Sequence, residues 1–151
     1  MSTEAYFNQI RNELYSWFGR IFENPEKMIG GIEWNENLYP HEIFIDPNPI
    51  SGPVIRKIVI GGHSSEKLGE LELKILSVYA TNLSYLGISS IRLNKLTKEQ
   101  RGFLEGELEE QYVTSEEQGT PYRDLLNKIK HPHTYRLIEL VQGKLKKLGI
   151  R

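Results

Sequence analysis

Two short stretches carry residue types that chemistry needs. Gly61-Gly62-His63-Ser64-Ser65 falls between an expected strand and an expected helix. There, backbone N–H groups and the positive end of a helix can hold an anion, with Gly61, Gly62, Ser64 and Ser65 as the turn that does so. The spacing matches neither G-x-x-x-x-G-K-[ST], nor G-x-G-x-x-G, nor G-x-S-x-G. The plainer reading is a strand-to-helix connection with Ser64 or Ser65 as N-cap. His63 in the same turn is a candidate general base. The second stretch is Glu72-Leu73-Lys74, an acid-x-Lys pair. On their own, Glu72 and Lys74 read as helix surface charges, and Asp46 before Pro47 as the start of an Asx-type turn.

Other clusters are thinner. His131-x-His133 pairs two imidazoles but has Pro132 between them and no third ligand, so no metal site is expected. Trp17, Phe18 and Phe22 with Trp34 and Tyr39 read as core, or alternatively as an aromatic-lined recognition pocket. The charges are segregated. Residues 121–151 hold eight basic side chains against two acidic ones, whereas residues 97–119 hold two basic against seven acidic. Lys144, Lys146, Lys147 and Arg151 therefore form a candidate binding face for nucleic acid or an acidic partner. Plain solvated surface, or pairing of acidic and basic faces in a homo-oligomer, are the other readings.

The composition removes whole chemistries. With no Cys among 151 residues, disulfides, thiolate zinc sites, iron–sulfur clusters and cysteine nucleophiles are excluded. A formal net charge of −1 argues against a globally basic nucleic-acid binder. Met1-Ser2-Thr3-Glu4 lacks a basic region followed by an apolar run, and no stretch approaches the length of a spanning helix. A soluble, cytoplasmic protein without membrane contact is expected, and the sequon Asn82-Leu83-Ser84 then carries no weight.

The elements that must position these residues follow from periodicity. Ile10, Leu14, Trp17, Phe18 and Ile21 make one apolar stripe of a helix from about Thr3 to Phe22, ended by Asn24-Pro25. Short strands follow at Ile32–Trp34, His41–Asp46 and Val54–Ile60, the last two plausibly an antiparallel hairpin across a Pro-rich loop. Leu68, Leu71, Ile75, Val78, Tyr79, Asn82 and Leu86 trace the inner face of a helix from about Glu66 to Leu86, although Leu71, Leu73 and Ile75 also alternate as a strand would. Gly87 suits the position after that helix. Ile88–Leu93 reads as a strand. Thr97 and Gln100 form a capping box for a helix to about Gln111, and Tyr112-Val113 reads as a short strand. Thr120-Pro121 opens a helix to about Lys130. A final helix carries Leu137, Ile138, Val141, Leu145 and Leu148.

The order helix, three strands, helix, strand resembles the core of the PD-(D/E)xK nuclease superfamily over roughly residues 3 to 93. That resemblance implies a divalent metal held by an Asp at one strand and an acid-x-Lys pair at the next, with the Lys assisting hydrolysis; carried onto this chain it implies a phosphodiester hydrolase using Asp46, Glu72 and Lys74 with Mg²⁺. Here Asp46 ends a strand, but Val54-Ile55-Arg56-Lys57 has no acid before Lys57, and Glu72-Leu73-Lys74 falls on a helix.

The expected architecture is a single α+β domain over residues 1–151. A small, mostly antiparallel sheet packs with an N-terminal and a central helix (about 3–93), and a helical third follows (about 97–149). The expected function is that of a small non-catalytic binding or interaction protein with no cofactor, engaging another macromolecule, with a protein partner or a second copy favoured. The alternatives are a metal-dependent phosphodiester hydrolase and a nucleic-acid-binding module using the basic C-terminal segment.

Overall fold

The computed structural model describes residues 3–50, 52–114 and 120–131. Helix α1 (Thr3–Ile21) leads to a short helix α2 (Pro25–Met28). Strands β1 (Ile32–Asn35), β2 (Glu42–Ile45) and β3 (Ile55–Gly61) follow. Then come α3 (Leu68–Thr81), α4 (Leu83–Leu86), α5 (Lys98–Thr114) and α6 (Thr120–Lys130). This is the expected α+β architecture. Of the expected final helix, and of Lys144, Lys146, Lys147, Arg151 and His133, nothing lies within the described residues.

The sheet has the order β1-β3-β2. The β2–β3 pair is antiparallel, as the Pro-rich loop suggests, but β1 runs parallel to β3, so the sheet is mixed rather than mostly antiparallel. Strand register sorts the side chains by face. Ile32 stands opposite Ile58, Trp34 opposite Ile60 and Ile43 opposite Ile58, all toward the helices. Glu33, Glu42, Phe44, Lys57 and Val59 take the other face.

One core joins sheet and helices. Leu14, Trp17, Phe18 and Ile21 of α1 meet Ile55, Ile58 and Ile60 of β3 and Leu71, Ile75, Leu76 and Tyr79 of α3, all buried. On α6, Tyr122, Leu125 and Leu126 recur at helical spacing and are buried, with α6 packed on α5 and α5 on α3. Thr97 Oγ1 accepts the N–H of Gln100 at 3.1 Å and Gln100 Oε1 accepts the N–H of Thr97 at 3.1 Å, so the expected capping box opens α5.

Several expectations are corrected. Pro25 does more than end α1: it occupies the first turn of α2, where its missing N–H is no loss. Residues 71–75 are helical, which settles the helix-or-strand ambiguity, but α3 starts at Leu68 and ends at Thr81, with Leu83–Leu86 a separate turn. Ile88–Leu93 is not a strand. It forms two 3-10 turns, Ile88–Ser90 and Leu93–Lys95, with a single antiparallel bridge between Ile91 and Phe22. That segment is committed to capping α1: Arg92 Nη1 donates to Gly19 O at 2.9 Å and to Phe22 O at 3.2 Å, and Arg92 N donates to Ile21 O at 2.7 Å. Tyr112 and Val113 belong to α5, since Leu104, Leu108 and Tyr112 continue its i, i+4 row.

Candidate functional site

One concave region lies between the first turns of α3 and the facing side of α1. α1 presents Tyr6, Gln9, Ile10 and Glu13, and α3 presents Leu68 and Leu71. The loop Ser64–Lys67 and His41 at the start of β2 close the end of a cavity of about 340 Å³. A second cavity of about 410 Å³ adjoins it, sharing Glu13 and Leu68 and continuing along Asn12, Ser16, Trp17, Arg20 and Glu72. Both lie in the cleft along the α1–α3 seam.

Loop chemistry builds the closed end. β3 terminates at Gly61, whose N–H donates to His41 Nδ1 at 2.9 Å. His41 is buried. Accepting at Nδ1 places the ring proton on Nε2. A Cβ on Gly61 would lie 2.5 Å from Leu38 O, and one on Gly62 2.7 Å from the Cα of Glu36, so both positions need glycine for close backbone approach. Ser64 Oγ accepts the N–H of Glu66 at 3.1 Å, turning the chain before the helix. The N-cap is therefore Lys67 rather than Ser64 or Ser65. Lysine has no acceptor to offer, so only half of a capping box forms, with Glu70 Oε2 accepting the N–H of Lys67 at 3.2 Å.

Two polar groups in the walls are left short of partners. Glu66 has a side chain only 10% exposed; its Oε1 pairs with Lys74 Nζ at 2.6 Å, while its Oε2 has no hydrogen-bond partner among the described residues. The indole N–H of Trp17 is likewise buried and unpartnered among them. Buried groups of this kind normally find a partner. Glu72 faces Arg20 and Glu13. Burial raises its carboxyl above the ordinary glutamate value, Arg20 opposes that shift and Glu13 adds to it.

The residues singled out by sequence separate in space. Asp46, past the end of β2, accepts the N–H of Asn48 at 3.0 Å through Oδ1, the Asx-type turn read from Asp46-Pro47. Two residues apart on a helix, Glu72 and Lys74 point about 200° from each other, Glu72 into the cleft and Lys74 to Glu66. Among the described residues no three His, Asp or Glu side chains are grouped to hold a metal ion. His63 is exposed, its N–H donating to Leu38 O at 3.4 Å. Gly61 and Gly62 stand apart from the α3 N-terminus, which begins at Leu68, whereas Ser64 and Ser65 line the cleft. Trp34 packs on Phe7 with ring centroids 5.4 Å apart, and Trp17 on Phe22 at 5.9 Å. Glu66, Glu13 and His41 were not singled out for the site by spacing. They come from three separate segments, and no local pattern announces their meeting.

Two other surfaces are concave. The outer sheet face, with Glu33, Phe44 and Lys57, lines a wider and mostly polar cavity of about 690 Å³, where Lys57 Nζ sits 5.0 Å from the Phe44 ring and 3.5 Å from Glu33 Oε2. Ile50, 90% exposed, and Tyr85 line a smaller cavity of about 280 Å³ with Lys27 and Val54.

The chain matches no protein-family model, no curated protein and no solved structure. Among the described residues no helix is long and apolar enough to cross a membrane.

Proposed function

We propose that this protein is a small non-catalytic binding protein and that the α1–α3 cleft receives a group presented by a partner protein. The observation that carries the reading is a cavity of about 340 Å³ whose walls set apolar Ile10, Leu68 and Leu71 beside polar Glu13, His41, Ser64 and Glu66. A concave site with a few fixed polar groups on an apolar lining is the usual form of a ligand seat. Ile10, Leu68 and Leu71 supply the lining here.

The test is an NMR titration of the isotope-labelled full chain with N-acetyl, N-methylamide derivatives of the standard amino acids, each mimicking one presented side chain. The expected result is saturable shifts at the Ser65 and Glu66 amides and the Trp17 indole for at least one derivative. Shifts confined to Phe44 and Lys57, or none for any derivative, would end the reading. Mg²⁺-dependent cleavage of RNA or DNA that is lost in Asp46→Asn would replace it with hydrolysis.

A further inference from the structure

We infer that the buried bond between His41 and Gly61 is an acid-sensitive latch, closed while the imidazole is neutral and opened when it takes a second proton, and that it holds the loop 62–67 at the end of the cleft. Gly61 N–H donates to His41 Nδ1 at 2.9 Å, so the ring acts here as an acceptor. An imidazolium carries N–H on both nitrogens and has no acceptor left. Protonation therefore sets donor against donor, on a side chain only 7% exposed. Both that clash and a charge enclosed without a partner are costly. The ring has a way out, because His41 also lines the cleft cavity. Histidine is the side chain that changes charge in mild acid.

Little else ties down the chain past Gly61. Gly62 N–H donates to Asn35 O at 3.0 Å, His63 N–H to Leu38 O at 3.4 Å and Ser64 N–H to Gly61 O at 3.3 Å. The last two are long for such bonds. The loop then supplies Ser64, Ser65, Glu66 and Lys67 to the cleft wall and enters α3 at Leu68. Opening the latch frees the first anchor of this run. It leaves the body of β3 in place, where Ile58 N–H has its own acceptor in Gly31 O at 2.9 Å. The titratable groups on the same cavity are Tyr6 and Glu13 of α1 and Glu66 and Lys67 of the loop. Glu66 is engaged by Lys74 and Glu13 by Gln9, and among the described residues no carboxylate is paired with His41 to hold an imidazolium in its buried place. Glu42, next in the chain, is exposed on the other face of the sheet, and Glu36, Tyr39 and His63 of the flanking turns are exposed.

The isotope-labelled full chain is taken from neutral pH into mild acid. NMR follows the His41 ring nitrogens and, in the same samples, the protection of backbone amides, corrected for the intrinsic slowing of exchange in acid. As Nδ1 gains its proton, Gly61, Ser64 and Glu66 are expected to lose protection by about tenfold or more, while Ile58 keeps its own. His41→Asn, which takes up no proton, should show no such step. Protection at Gly61 that stays constant as the ring titrates overturns the inference. A ring that stays neutral until Ile58 is released with the rest of the fold also overturns it, since the bond is then a fixed tie. A step that persists in His41→Asn assigns the effect to another group and overturns it as well. The comparison of Gly61 with Ile58 is made on the unmodified protein, so the outcome stands even if His41→Asn does not fold. No ligand enters the experiment, so its result is separate from that of the cleft titration.

Discussion

The Nδ1 atom of His41 accepts the backbone N–H of Gly61 at 2.9 Å, inside the fold. This bond ties the start of β2 to the end of β3 and sets the closed end of the cleft. Replacing His41 with Leu leaves the Gly61 N–H buried without an acceptor, which costs about 1–3 kcal/mol. Denaturant unfolding should show that loss, and His41→Asn, which keeps an acceptor, should recover part of it. A nitrogen-detected NMR spectrum should place the ring proton on Nε2. A proton on Nδ1 would mean the bond is not made.

Arg92 caps α1 from a distant part of the chain. Its guanidinium reaches Gly19 O and Phe22 O, carbonyls that the helix end leaves unpaired. Arg92→Ala should lower stability by about 1 kcal/mol or more. Arg92→Lys should recover only part of it, because a lysine keeps the charge favourable to the helix C-terminus but not the rigid planar group that holds Nη1 against both carbonyls. Equal stability for Arg92→Ala and wild type would show that these contacts carry nothing.

The Thr97–Gln100 capping box gives a double-mutant cycle. Thr97→Ala removes one cap bond and should cost about 1 kcal/mol. Gln100 is also buried, so Gln100→Ala should cost at least as much. The two partners belong to one reciprocal motif, and the double variant should be destabilised by less than the sum. Strict additivity would show that the two bonds act separately.

Glu72 sets a pH dependence whose sign follows from its surroundings. Its folded carboxyl titrates above the ordinary value of 4.5, first through burial and then against the pull of Arg20. The stability this group contributes is therefore full below 4.5 and is lost as pH rises through the raised folded value. Glu72→Gln should match wild type in acid and become the more stable protein as pH rises toward neutrality. A stability difference that does not change with pH would contradict the shift. Because the group is partly solvated, the gain should be small.

Helices were the legible part of this sequence because their signals are local. The stripe from Ile10 to Ile21, the Thr97–Gln100 box and the Thr120-Pro121 start each lie within a few turns of chain. The β2–β3 hairpin was legible for the same reason. The parallel β1–β3 pairing was not, since nothing near Ile32 says that Ile58 will stand beside it. Ile88–Leu93 looked like a strand from its composition, but Arg92 and Ile91 are drawn to the end of α1. The candidate site was almost illegible. Glu66 reads as one more surface acid until the loop before α3 folds it inward, and Trp17 reads as core, which it is, with no hint that its N–H lacks a partner among the described residues.

The middle strand of the sheet is the last of the three to be synthesised. β1 and β2 touch β3 and do not pair with each other, so neither can find its ladder until residues 55–61 have left the ribosome. Until then the nascent chain can form α1 but no sheet, and the apolar stripe of that helix has no strand to cover it. The order of strands in space thus dictates an order of events in time: the sheet waits for its third strand, and the core waits longer still, for Leu71, Leu104 and Leu125 of the helices that follow.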